Sequence, residues 1–347
     1  MYDIIRIITN KKKNFNKNKE KIVYEYKYYN INDNGNEIND LKFLEYISKI
    51  AVPPAYELVY ISLNPKSLSS YMAIDKNGKK QYRYSEHQNK IRKNKKYCHL
   101  INFGISLDNI RLTYKDYLKF IDCKNITKTD LLFFIIKLID TCHFRIGSDS
   151  NNLNKGILDI KNENIKLINN KVNINFIGKN KKINICQKDD KNIMECLKNM
   201  KKRIPIGKNI FSYYNDGILT NITAKDINIF LKNFGADISS KNFRTWAANT
   251  YFLEELKKLD YNKCLSLLEK KKVINNILKI VSLKIFNTPK VCRDEYIIPD
   301  IIDLYFEDKL YFWLSDKNSS KIIFTSFSKI ENILLNLLVN LKEIYCE

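Results

Sequence analysis

Residues 287–296, Asn-Thr-Pro-Lys-Val-Cys-Arg-Asp-Glu-Tyr, hold a phenol that could act as a nucleophile, Tyr296, and a neutral hydrogen-bond donor nine residues before it, Asn287. The chain has 22 tyrosines, so an arbitrary one is structural. Groups upstream set Tyr296 apart. Arg145 ends an apolar segment, Lys179 lies at the tip of a predicted hairpin, and Arg244 follows Lys241 by three residues on a predicted helix. Together these are the parts needed to attack a phosphodiester. The tyrosine forms the covalent link. Two planar, permanently charged guanidiniums take up the negative charge that grows on the non-bridging oxygens. An ammonium protonates the leaving oxygen, which is easier in a basic site that lowers its pKa.

The elements that must position these groups can be read from periodicity and caps. Thr127-Lys128-Thr129-Asp130 is a capping box for a helix over 130–144 that is apolar on most sides and should be buried, ending at Arg145-Ile146-Gly147. A charged group there must emerge into solvent, onto a carboxylate or into a site. Residues 171–186 alternate as a β-hairpin, with Gly178-Lys179-Asn180-Lys181 at its tip. Thr223-Ala224-Lys225-Asp226 caps a second helix, stopped at Gly235. Ser239 or Ser240 caps a third over 241–259, which turns Lys241 and Arg244 to one face and Phe243, Trp246 and Ala247 to the core. Helix resumes over 261–286, Pro299 should interrupt any helix after Tyr296, and 300–306 and 328–345 read as helical.

The N-terminal part reads differently. Short strands are expected at 4–8 and 22–28 around a Lys/Asn run over 10–21, which reads first as a solvated loop and otherwise as a phosphate-tracking segment or a localisation signal. A helix over 41–50, ended by Val52-Pro53-Pro54-Ala55, precedes strands at 58–62 and 70–74. Asp75-Lys76-Asn77-Gly78 is a hairpin turn. After it, Lys80, Gln81, Tyr82 and Tyr84 form a polar and aromatic strand that could either read DNA or be a plain solvated hairpin. The polar, basic stretch 85–96 places a domain boundary near residue 90, giving a 1–90 domain and a 91–347 domain that opens with modest helices at 97–103 and 114–122.

The 347 residues, 44% hydrophobic, suffice for one large core or two unequal domains. Asn, Lys, Ile and Tyr are heavily used, as an AT-rich genome would produce, but that bias does not explain 60 Lys and Arg against 38 Asp and Glu. The net charge of +22 points to a polyanionic partner, nucleic acid ahead of an anionic membrane. The most apolar run, 131–136, is too short to span a bilayer, and the N-terminus has no apolar core for a secretory signal. Eight single cysteines without C-x-x-C pairs fit a reducing compartment, and three histidines at these spacings suggest no zinc site.

In sequence order, these residues resemble the type IB DNA topoisomerases, the small poxvirus, giant-virus and bacterial members above all. Val52-Pro53-Pro54-Ala55 resembles I-P-P-A, and residues 75–84 resemble D-x-x-G-R-K-Q-Y-x-Y. Arg145 sits in the F-x-R-x-G position, Gly156-Ile157-Leu158-Asp159-Ile160 is similar to G-L-L-x-L, and Phe176-Ile177-Gly178-Lys179 is similar to F-x-G-K. Lys241-Asn242-Phe243-Arg244-Thr245-Trp246 is similar to K-x-x-R-T-[YW], and Tyr296 with Pro299 to Y-x-x-P. The likeness covers roughly residues 45–300. It departs at Asn287 and Asn164, where the family has His, at Ser148, where poxvirus members have a basic residue, and at Asp294-Glu295, which should disfavour ionisation of Tyr296.

The resemblance implies an α+β chain: a small, mostly β N-terminal domain and a larger, mainly helical catalytic domain with a β-hairpin, closing as a C-shaped clamp on DNA. It implies relaxation of supercoiled double-stranded DNA through a 3′-phosphotyrosyl link, with no cofactor, no metal, no small-molecule substrate and no membrane, by a monomer. Tyr296, Arg145, Arg244, Lys179 and Asn287 would be catalytic, and Lys241, Lys80, Gln81, Tyr82 and Tyr84 would bind DNA. An intracellular place is expected, in a virion or at a host-cell replication site if the chain is viral. The alternatives are a tyrosine recombinase, whose usual His three residues before the second Arg is Lys241 here, and an inactive basic DNA-binding protein.

Overall fold

The computed structural model describes residues 2–16, 19–32, 35–147, 155–169, 171–315 and 323–342. It is a mixed α and β chain that divides into two compact units, Met1–Lys96 and Tyr97–Glu347.

The N-terminal unit is built on a five-stranded antiparallel sheet in the order β2-β1-β3-β4-β5. Its strands are β1 (Ile4–Asn16), β2 (Lys19–Asn30), β3 (Glu57–Ile61), β4 (Ser69–Ile74) and β5 (Lys80–Tyr84), with helix α1 (Leu41–Lys49) between β2 and β3. Asp40 caps α1 by accepting from the Lys42 and Phe43 amides. A small core of Ile4, Ile47, Val59, Ile61, Tyr71 and Ala73 lies beneath the sheet. The described residues of the Lys/Asn run, expected to be a loop, are instead strand: β1 and β2 pair from Ile4↔Asn30 out to Asn16↔Lys19. Periodicity missed it because lysines and asparagines occupy both faces, leaving no alternation to read.

The basic stretch expected to separate two domains is also ordered. A single helix, α2 (Glu86–Lys119), replaces the two modest helices, and the division of the units falls within it. Its first part has few apolar residues, so the helical period begins to show only from Tyr97.

The second unit is mainly helical and has one large core. Helix α3 (Lys128–Cys142) carries the predicted Thr127 capping box and is buried along nearly its whole length. It stops three residues short of Arg145, where His143 takes a left-handed conformation with φ 57°. A three-stranded antiparallel sheet follows, β6 (Ile165–Ile168), β7 (Lys171–Ile177) and β8 (Ile183–Lys188), in that order. Helix α4 (Lys191–Arg203), capped by Asp190, and a small hairpin of β9 (Ser212–Asn215) and β10 (Ile218–Asn221) complete this part. The remaining helices are α5 (Ala224–Leu231), α6 (Ser240–Lys257), α7 (Leu267–Lys284), α8 (Pro289–Glu295), α9 (Pro299–Phe306), α10 (Leu310–Leu314) and α11 (Lys329–Asn340). Helix is interrupted ahead of Pro299, as expected, and Pro299 itself opens α9, where at the first helical position its missing N–H costs nothing.

Within the second unit, Arg111 donates from Nε and Nη2 to the buried carboxylate of Asp140, at 2.9 and 3.0 Å, and pairs with Glu331. Trp246 Nε1 donates to the same Glu331 at 3.0 Å. These bonds tie α2, α3, α6 and α11 together through satisfied buried charge. The cysteines depart from expectation: Cys123 is bonded to Cys196 and Cys142 to Cys186, the second pair joining the end of α3 to β8. Among the described residues no helix is long and apolar enough to cross a membrane.

Candidate active site

Arg145, Lys179, Lys241, Arg244, Asn287 and Tyr296 all line one cavity of about 510 Å³ in the second unit. They come from four places in the chain, each held by local structure.

Arg145 lies just past the left-handed turn at His143. Its carbonyl accepts from the Ile157 amide at 2.7 Å, and Ile146 accepts from Leu158 at 3.1 Å. Residues 156–160 therefore lie against 145–147. A Cβ on Gly156 would stand 2.3 Å from both the Arg145 carbonyl oxygen and the Gly147 nitrogen, so only glycine permits the approach. The Arg145 side chain goes neither to solvent alone nor to a carboxylate: Nη2 donates to Asn287 Oδ1 at 2.7 Å.

Arg244, on α6, is buried. Its Nη1 donates to the His143 carbonyl, and its Nη2 to the Ile285 carbonyl at 2.6 Å. The guanidinium is thereby fixed between the end of α3 and the end of α7, while its Nε has no partner. Burial pulls its pKa down, with the neighbouring Arg145 adding to this and Tyr296 opposing it.

Asn287 follows α7, its amide bonded to the Ser282 carbonyl at 2.8 Å. A guanidinium offers only donors, so the Asn287 oxygen must face Arg145 and the amide nitrogen is left as the donor. That Nδ2 is buried without a well-formed hydrogen bond.

Tyr296 caps the C-terminus of α8 and is 3% exposed. Arg244 Cζ lies 5.5 Å from its ring centroid and Lys241 Nζ 6.0 Å. Burial alone would raise the phenol. The charges of Arg244 and then Arg145 outweigh it, with smaller help from the Arg244 and Asn287 side-chain donors, and hold Tyr296 below its ordinary value. The expected disfavouring by Asp294 and Glu295 therefore does not govern: Glu295, which also lines the cavity, pairs with Lys241 at 3.4 Å, both more than half exposed. One turn before Tyr296, burial pushes the Cys292 thiol up to about 12, which keeps this other potential nucleophile neutral.

Lys179 stands exposed at the tip between β7 and β8, on a single 3₁₀ turn. Gly178 packs so closely on Asn184 that a Cβ there would meet Asn184 Nδ2 at 2.3 Å. The tip is thus fixed at its base and carries Lys179 outward into the cavity.

Sequence reasoning missed Asn249. Fully buried on α6, it donates to the Tyr296 carbonyl at 2.9 Å and accepts from the Ile298 amide at 3.0 Å. It grips the backbone at Tyr296 and two residues beyond it. The signal was weak, because the buried positions of α6 also include Ser240, Arg244, Thr245 and Thr250. Asn164, in the position of a habitual histidine, accepts from the Lys161 amide and closes a local turn. Ser148 lies outside the described residues.

The proposed DNA-reading residues lie on β5 in the N-terminal unit. Tyr82 is half-exposed and Lys80 exposed. Gln81 donates to Asp75 at 2.8 Å, and Arg92 stacks on Tyr84 at 4.0 Å.

Residues 84–296 match the family model described as eukaryotic DNA topoisomerase I, catalytic core. The chain is also similar to the DNA topoisomerase 1B of Acanthamoeba polyphaga mimivirus, with 25% identity over 307 residues that span 84% of this chain and 88% of that protein. The motifs in sequence order, the cavity that the four around Arg145, Lys179, Arg244 and Tyr296 line, and both likenesses agree: the chain belongs to the DNA topoisomerase I family, in its type IB class.

Proposed function

We propose that Tyr296 attacks a backbone phosphorus of duplex DNA, forming a 3′-phosphotyrosyl link and releasing a 5′-hydroxyl. The free end rotates to relax supercoils, and the hydroxyl then attacks back. Bond energy is conserved throughout, so neither ATP nor a metal is required. Arg145 and Arg244 take up charge on the non-bridging oxygens, Lys179 protonates the leaving 5′-oxygen, and Lys241 contacts a neighbouring phosphate. Asn287 supplies a neutral donor from Nδ2.

The observation that carries this reading is the cavity: a buried phenol held below its ordinary pKa by two guanidiniums and the Asn287 amide, with an exposed lysine on the same wall. The reading extends to a clamp, in which Lys80, Gln81, Tyr82 and Tyr84 of the N-terminal unit also contact the duplex, and to a protein acting as a monomer. The mimivirus relative favours action in a virion or at a viral replication site.

Plasmid relaxation in EDTA without ATP tests the proposal. The native chain is expected to relax DNA and to leave a covalent complex when trapped in detergent, and Tyr296→Phe to do neither. A metal requirement, or an active Phe variant, overturns it.

A further inference from the structure

The ladder of β1 with β3 ends at Arg6, but its ladder with β2 runs on to Asn16. From Asn10 outward the two strands form a ribbon beyond the sheet. Seven residues on β1 at about 3.4 Å each make it about 24 Å long. An isolated two-stranded ribbon is marginal in water. This one also exposes Ile22 and Val23, which have no core to join. A ribbon of this kind calls for a surface to lie on.

Its chemistry says which surface. The described strand residues 10–16 and 19–25 hold five lysines against two glutamates. Lys11, Lys12 and Lys13 are consecutive and exposed. Strand alternation sends Lys11 and Lys13 to one face of the ribbon and Lys12 to the other. Lys11 pairs with Glu57 at 3.1 Å and Lys12 with Glu25 at 2.5 Å, but both lysines are more than half exposed. Such pairs contribute little and are readily exchanged for a stronger anion. A major groove about 12 Å wide admits a two-stranded β-ribbon, and its two walls are phosphate backbones. Cations on both faces of a ribbon lying there meet both walls.

We infer that the β1–β2 ribbon is a second duplex-DNA contact, separate from the cavity and from β5, that binds through phosphates without reading sequence. It rests on duplex DNA being the substrate, as proposed above.

The test is the salt dependence of binding, measured on the full chain carrying Tyr296→Phe so that no covalent step intrudes. Each phosphate contact contributes about 0.9 to the slope of log K against log salt. The added triple substitution K11A/K12A/K13A is expected to reduce that slope by about 2–3 between about 50 and 200 mM salt. The matching K11R/K12R/K13R set should keep the parent slope. An alanine set with the parent slope overturns the inference, as does an arginine set that loses slope as the alanine set does. Failure of the catalytic reading looks different: the slope changes as expected, but the chain with Tyr296 intact forms no covalent complex.

Discussion

Asn287 separates two roles that the site combines. Its Oδ1 anchors Arg145, and its buried Nδ2 is left as the donor that helps hold the Tyr296 phenol low. Asn287→Ala removes both functions, and loss of one preorganised donor of this kind slows chemistry by about 10²–10³. Asn287→Asp keeps the anchor, now as an ion pair with Arg145, but loses the donor and places an anion beside the substrate phosphate. Two like charges about 4 Å apart at an effective dielectric constant near 20 repel by about 4 kcal/mol, roughly a further 10³ in rate before Arg145 offsets part of it. Asn287→His restores a donor and is expected to cleave at the native rate or faster. Single-turnover cleavage of a nicked duplex that cannot religate, with the covalent complex quantified on a denaturing gel, gives the order His ≥ Asn > Ala > Asp. An Asp variant at the native rate would show that Asn287 only anchors Arg145, and an Ala variant at the native rate would remove it from the mechanism.

Four further outcomes are expected. Gly156→Ala drives a Cβ into the Arg145 carbonyl and should cost about 1–3 kcal/mol, seen as a lower Tm together with slower cleavage; an unchanged Tm would mean the approach is looser than described. Asn249→Ala leaves the Tyr296 carbonyl and the Ile298 amide without their buried partner, a loss of about 2–5 kcal/mol in urea unfolding. The guanidiniums hold the Tyr296 phenol low, so the rate should rise with pH through a value below that of free tyrosine, and Arg145→Gln should move that limb to higher pH; a limb that stays in place refutes the electrostatic account. Burial holds the His143 imidazole down at about 4 against its ordinary 6.5. With the folded pKa depressed, this contribution to stability is complete above about pH 6.5 and is lost as pH falls towards 4, about 3 kcal/mol in all. His143→Asn, which tolerates the left-handed backbone, should flatten acid unfolding over that window.

Much of the catalytic unit was legible in the sequence because its elements announce themselves. Capping boxes at Thr127 and Thr223 and the alternation of Val172, Ile174 and Phe176 are local signals, and the structure keeps them. Two kinds of feature were not legible. Where lysine and asparagine fill both faces, as in β1, β2 and the start of α2, no apolar period marks the element. Relations between distant segments leave no spacing to read: the bond between Arg145 and Asn287 joins residues 142 positions apart, and the grip of Asn249 on Tyr296 spans 47. The depression of the Tyr296 phenol likewise follows from charges brought together by folding, against what its acidic neighbours in sequence implied.

Asn249 has a mechanical consequence. On the proposed mechanism, a DNA end swivels while the molecule is tethered through the Tyr296 oxygen, so every turn puts torque on that residue. The segment cannot swing with the DNA, because its backbone is bonded at Tyr296 and at Ile298 to a fully buried amide in the middle of α6. A close-packed interior transmits strain rather than absorbing it. The torque passes into the core, and the 5′-hydroxyl finds the phosphotyrosine where it left it after each rotation.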